Sequence, residues 1–144
     1  MRPASITMFD RLFLGGLALG LVNTAIAYNS TMEQLQADPA VAELGLATPG
    51  FFIGSAAFGY GISLLLWFLI SRKANNVAKW ILTVLTVIGA LMVPLSLGEL
   101  DLFASIVTVI ATVLQVAAVW MLFRPDAKSW FEHGPGGMDP ATFE

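Results

Sequence analysis

Five uncharged polar residues, Asn23, Ser105, Thr108, Thr112 and Gln115, lie inside stretches otherwise apolar enough for lipid. The last four follow one another at steps of three, four and three. That spacing puts them on one face of an α-helix, with Ala104, Ala111 and Ala118 recurring every seven residues on an adjacent line. Such a stripe can do one of two things in a membrane: hydrogen-bond to a neighbouring helix, or line a path for a solute or ion. At about 1.5 Å per residue, Asn23 and Gln115 lie roughly 12–17 Å from the basic ends of their segments, a depth at which they are expected to be able to meet. Packing is the simpler expectation for the stripe, with a polar pathway as the alternative.

Small residues extend the same theme. Gly16 and Gly20 stand four apart in the first apolar segment, and Gly50 and Gly54 do so in the second, where Ser55, Gly59 and Ser63 form a further line at intervals of four. The third segment offers Thr83, Thr86 and Gly89. Helices in lipid associate through close packing and hydrogen bonds rather than apolar burial, so these faces are candidate helix interfaces. There are more of them than the inside of one small bundle requires. At least one, that of the first segment at Gly16 and Gly20, is expected to point outward and dock another protein or a second copy.

Reactive chemistry has little to build on. The chain has no cysteine and one histidine, His133, beside a Gly- and Pro-rich tail, so thiolate catalysis, disulfides and His clusters within one chain are excluded. The five acids between apolar segments, Glu33, Asp38, Glu43, Glu99 and Asp101, read as a solvated acidic face rather than a cation site. No apolar segment carries an ionisable residue, whereas proton- or cation-coupled carriers usually retain one there. Small multidrug transporters also have four helices but depend on an intramembrane glutamate in the first; here the polar residue is Asn23, and the likeness is one of length only. No cofactor, metal or catalytic residue is expected. With seven basic residues and a net charge of −3, nucleic acid is not an expected partner.

The elements that carry these residues follow from hydropathy. Of 144 residues, 57% are hydrophobic and 12% charged, against about a quarter charged in a soluble domain. Four stretches, about 12–28, 50–70, 80–97 and 102–123, approach the roughly 20 residues needed to cross a bilayer; the first reaches full length if its helix starts near Ser5 or Ile6. The fold class is therefore an all-α, four-helix transmembrane bundle in a membrane domain of residues 1–132, with 133–144 as a flexible tail. Thr48 before Pro49, Asn75 or Asn76, and Asp101 are placed to cap the second, third and fourth helices. Gly98 is placed to end the third, and Pro94 to kink it or end it early. In the first loop, Ser30 and Glu33 form a capping-box pattern, and Asp38-Pro39 with Gly45 delimits a second short helix. Both short helices are expected to lie at the membrane surface.

Charge sets an expected orientation. Arg2, Arg11, Arg72, Lys73, Lys79, Arg124 and Lys128 all fall on one side, and the other two loops hold only acids. The positive-inside rule then makes both termini and the middle loop cytoplasmic, with Trp67, Trp80, Trp120 and Trp130 as aromatics of that interface. Ala25-Ile26-Ala27 resembles a signal-peptidase site, but Asp10 and the small-residue pattern favour a retained helix. Pro125 interrupts the last helix, and the segment after it, where Asp126, Lys128 and Glu132 mix with Trp130 and Phe131, suits a short amphipathic element at the interface. The start "RPASITMFDRLFLGGLALGLVNT" and the end "MLFRPDAKSWF", flanking four helices and an acidic loop, resemble small four-helix bacterial inner-membrane proteins of uncharacterised function. The resemblance implies a multi-pass protein of the bacterial inner membrane and supplies no site residues. The expected role is that of a structural or accessory protein, touching the lipid bilayer and joining a homo-oligomer or larger membrane complex. The alternative is a small oligomeric transporter or channel using the polar face around Asn23 and Gln115.

Overall fold

A computed structural model describes residues 2–97 and 102–134. Among the described residues the chain is all-helical: α1 (Ala4–Ile26), α2 (Tyr28–Ala37), α3 (Pro39–Glu43), α4 (Pro49–Lys73), α5 (Asn76–Ser96), α6 (Leu102–Met121) and α7 (Pro125–His133). Helices α1, α4, α5 and α6 are long and apolar enough to cross a membrane. Helices α1 and α4 are apolar all the way round rather than on one stripe, the pattern of a helix whose surroundings are apolar on every side. Phe58, Leu95 and Leu102 are among many large apolar side chains left exposed, at 72%, 72% and 79%. A surface of that kind is a liability in water and the natural exterior of helices in lipid.

Most of the helix boundaries have identifiable chemical causes. The Thr48 hydroxyl accepts from the Phe51 N–H at 3.3 Å with Pro49 at the first helical position, and Asn75 Oδ1 accepts from the Ala78 N–H at 2.9 Å. Asp38 Oδ1 accepts from the Ala40 N–H at 2.9 Å to start α3, and Gly45 follows its end at φ +67°, where a Cβ would be strained. The caps expected at Asp101 and Gly98 lie outside the described residues, as does the tail from 135 onward. Pro94 does not end α5, which continues to Ser96; the ring costs a single hydrogen bond so close to the helix end.

Helix α1 begins at Ala4, beside the start near Ser5 or Ile6 that gives it full length, rather than at residue 12; Ile6 and Phe9 there are fully enclosed, and Asp10 is held by Arg2 and Trp67. One element differs from the sequence reading. The Ser30 capping box does not form. The helix runs through Ala27 almost unbroken, with Ala27 N–H donating to Asn23 O at 2.8 Å and Thr31 N–H to Ala27 O at 2.9 Å. The amides that a cap would serve are therefore already paired, and the Ser30 hydroxyl donates to Ala27 O instead.

The four long helices pack tightest at the end formed by the start of α1 and by α7. There Ile6, Phe9 and Phe13 of α1 meet Leu66 and Ile70 of α4, Leu82 of α5 and Leu122 after α6 in one continuous core. Helix α7 folds beneath this core and buries Ala127 and Trp130, leaving Lys128 and Glu132 outside. Toward α2 and α3 the packing opens, and Leu91 and Leu95 of α5 and Phe58 of α4 are exposed.

Candidate functional site

The polar stripe of α6 meets α1. Helices α1 and α6 run antiparallel, so that Asn23 Nδ2 donates to Thr108 Oγ1 at 3.1 Å, while seven residues along α1 a Cβ on Gly16 would lie 3.3 Å from Gln115 Cγ and 3.4 Å from Ala111 O. Asn23 and Gln115 therefore do not meet: seven residues of helix, about 10 Å, separate their contacts. Thr112 turns its hydroxyl back to Thr108 O at 2.8 Å, and Ser105 lies at a smaller cavity beside Leu97 and Ile106, away from the α1 contact. Asn23 Oδ1 is enclosed and has no hydrogen-bond partner. Inside an apolar bundle such an enclosed atom is costly.

The glycine faces divide differently from expectation. The face of Gly16 and Gly20 points inward, not out: Gly16 lets α6 approach, and a Cβ on Gly20 would lie 3.2 Å from the Tyr60 hydroxyl of α4. The reason is that α1 is the central strut of the bundle, packed on α6, α4 and α7, so it needs close approach on more than one side. On α4 the reverse holds. A Cβ on Gly50, Gly54, Gly59 or Gly61 would meet nothing within 4 Å. At about 100° per residue, Gly50, Gly54 and Gly61 fall within roughly 40° of one another, opposite the buried positions Leu66 and Ile70. This line faces away from the bundle, flanked by exposed Phe58 and Leu65. Ser55, Gly59 and Ser63 occupy a separate line, where the two serine hydroxyls are returned to their own helix at Phe52 O and Gly59 O.

Between α1 and α4 lies a cleft of about 780 Å³, walled by Leu17 and Leu21 on one side and Ile53, Ala56 and Leu64 on the other. Neither Asn23 nor Gln115 lines it. Its walls touch at intervals. Trp67 Nε1–H donates to Asp10 Oδ1 at 2.8 Å below the cleft, Tyr60 and Thr24 hydroxyls are 3.2 Å apart within it, and the Tyr28 and Phe52 rings meet edge-on at 5.3 Å above. Thr24 gives its own proton to Gly20 O at 2.9 Å, so Tyr60 is the donor to Thr24.

Where the start of α1 meets α7, a polar clasp joins these two segments to each other and to α4. Arg2 pairs with Asp10 at 2.9 Å and donates to Ser71 Oγ at 3.1 Å. The Ser5 N–H and hydroxyl both donate to the Asp126 carboxylate, at 3.0 and 2.5 Å. Burial raises the Asp126 pKa, but the Ser5 donors and the free amides at the start of α7 outweigh it and hold the carboxyl below its ordinary range. Trp130 is not a lipid-facing aromatic: it is 2% exposed and donates from Nε1 to Ile70 O at 3.2 Å, satisfying a carbonyl at the end of α4. Lys79 sits over the Phe131 and Phe123 rings at 4.6 and 5.0 Å. The clasp escaped the sequence reading because its members are far apart in the chain; Asp10 within an otherwise apolar helix was the available signal.

Among the described residues no three metal-ligating side chains come together. Compared with known protein families, curated proteins and solved structures, the chain matches none.

Proposed function

We propose that this is a multi-pass protein of the bacterial inner membrane, N-in and C-in, that acts without catalysis as a structural or accessory subunit by helix–helix contact. The contact is with a second copy or a larger membrane complex, and its surface is the outward line of Gly50, Gly54 and Gly61 on α4. The observation that carries this reading is the contrast between the two glycine pairs: Gly16 is filled by α6 within the chain, whereas Gly50, Gly54 and Gly61 have open space before them. In lipid, glycine is weak helix material and offers no side chain to bury; its merit is that it lets another backbone come close.

The orientation rests on the basic residues, which lie before or in the first turns of α1, at the end of α4, at the start of α5 and around α7. Helices α2, α3 and α7 then lie at the two membrane surfaces. The alternative, a small oligomeric transporter or channel around Asn23 and Gln115, is not favoured by the arrangement, since each residue serves its own α1–α6 contact. The test is energy transfer between donor- and acceptor-labelled copies, in vesicles of lipid alone and in membranes containing the native partners. Association in either setting that is lost in Gly54→Leu and kept in Ser63→Ala supports the reading; association unaffected by Gly54→Leu and Gly61→Leu contradicts it.

A further inference from the structure

We infer that the cleft between α1 and α4 holds one acyl chain of a phospholipid, drawn from the leaflet on the side of α2. The inference rests on the membrane reading above but not on the α4 docking face. The cleft runs from Leu14 on α1 to Asn29 at the start of α2 and from Phe52 to Leu64 on α4, which at about 1.5 Å per residue is roughly 18–22 Å. One leaflet with its headgroup boundary measures about 20–22 Å. The volume of about 780 Å³ is in the range of sites for small apolar ligands, about 300–1,000 Å³.

The chemistry of the walls selects the occupant. Leu17, Leu21, Ile53 and Leu64 give water no partners; of the three hydroxyls in the lining, those of Thr24 and Tyr60 already satisfy each other and Gly20 O, and the third belongs to Tyr28 at the cleft's end. A transmembrane helix does not fit between the walls. Two helices need about 8–10 Å between axes, and here α1 and α4 are bridged at Asp10–Trp67, Thr24–Tyr60 and Tyr28–Phe52. A single extended chain lies along such a groove without separating them. No charged residue lines it, so a free fatty acid would leave its carboxylate unpaired. A neutral ester is suited to the end of the cleft that Asn29 lines, where the uncharged polar residue is exposed.

The test uses the full chain in vesicles of phosphatidylethanolamine and phosphatidylglycerol. One arm contains phosphatidylglycerol with a diazirine midway along one acyl chain, the other contains diazirine-bearing palmitic acid; after illumination the labelled peptides are mapped by mass spectrometry. The expected result is phospholipid label concentrated at Leu17–Leu21 and Ile53–Leu64, above that on the exposed α5 face at Val84–Leu91. Ala18→Phe and Ala57→Phe fill the cleft from opposite walls, and each should abolish the cleft label while the α5 label persists. Cleft label no stronger than α5 label, or unchanged in both variants, overturns the inference, as does cleft labelling by palmitic acid alone. Absence of label from all four long helices overturns the membrane reading itself.

Discussion

Replacing Gly16 and Gly54 by leucine separates the glycine that builds the fold from the glycine that faces outward. At Gly16 even a Cβ would stand 3.3 Å from Gln115 Cγ, 3.4 Å from Ala111 O and 3.5 Å from Leu114 Cβ. The glutamine can move aside; the Ala111 carbonyl, fixed in α6, cannot. Overpacking of this kind costs about 1–3 kcal/mol, and a backbone neighbour places Gly16→Leu in the upper part of that range. Helix propensity offsets up to about 1 kcal/mol. The net expected loss is about 1–2 kcal/mol, a fivefold to thirtyfold shift toward the unfolded state. At Gly54 the same side chain enters open space, so the isolated chain should be unchanged or slightly stabilised. Both variants are measured by equilibrium unfolding in mixed micelles with rising dodecyl sulfate, followed by tryptophan fluorescence at low protein concentration. Equal destabilisation of the two variants, or none at Gly16→Leu, would refute the assignment of inward and outward faces.

Asn23→Leu removes one hydrogen bond worth about 0.6 kcal/mol in a membrane protein together with the unpartnered Oδ1, so unfolding in the same assay should shift by less than about 1 kcal/mol; Thr108→Val, which strips the amide of its partner, should cost more. The lowered pKa of Asp126 means that its contribution is present above the unfolded carboxyl value, about 3.9, and is lost as pH falls through the lower folded value. Wild-type stability should therefore fall below about pH 4, and Asp126→Asn should start lower and show a flatter acid limb between pH 7 and 3. Ala74, which ends α4 at φ +50°, should be replaceable by glycine with a gain of up to about 1 kcal/mol in the free energy of unfolding. Single cysteines at Gln36 and Asn75 test orientation: an impermeant thiol reagent on right-side-out membrane vesicles should label the first and spare the second, and labelling of Asn75→Cys would reverse the topology.

Helix number, class and most caps were legible because they rest on local signals: runs of apolar residues, and Thr48, Asn75 and Asp38 each next to a helix start. What sequence could not supply was rotation and register. The spacing of Ser105, Thr108, Thr112 and Gln115 defined a face, but only the antiparallel pairing of α1 with α6 decides that Asn23 reaches Thr108 rather than Gln115. Equally, Gly16-x-x-x-Gly20 and Gly50-x-x-x-Gly54 are indistinguishable as motifs. Their opposite fates depend on which helix stands at the centre of the bundle. The start of α1 near Ser5 or Ile6 was legible from the length a span needs, but the groups that hold Asp10 there were not, because Arg2 and Trp67 arrive from another turn and another helix.

Contact through the outward face of α4 is tested most directly by cysteine crosslinking in native membranes, on a chain that has no cysteine of its own. Single cysteines at Gly54 and Gly61, on the outward line, are compared with one at Gly16, which α6 covers. The expected result is one discrete larger species from Gly54→Cys and from Gly61→Cys, of twice the chain's mass or of the chain plus a partner, and none from Gly16→Cys. Crosslinking that is absent from both α4 positions, or no stronger there than at Gly16, would contradict the assignment of this face.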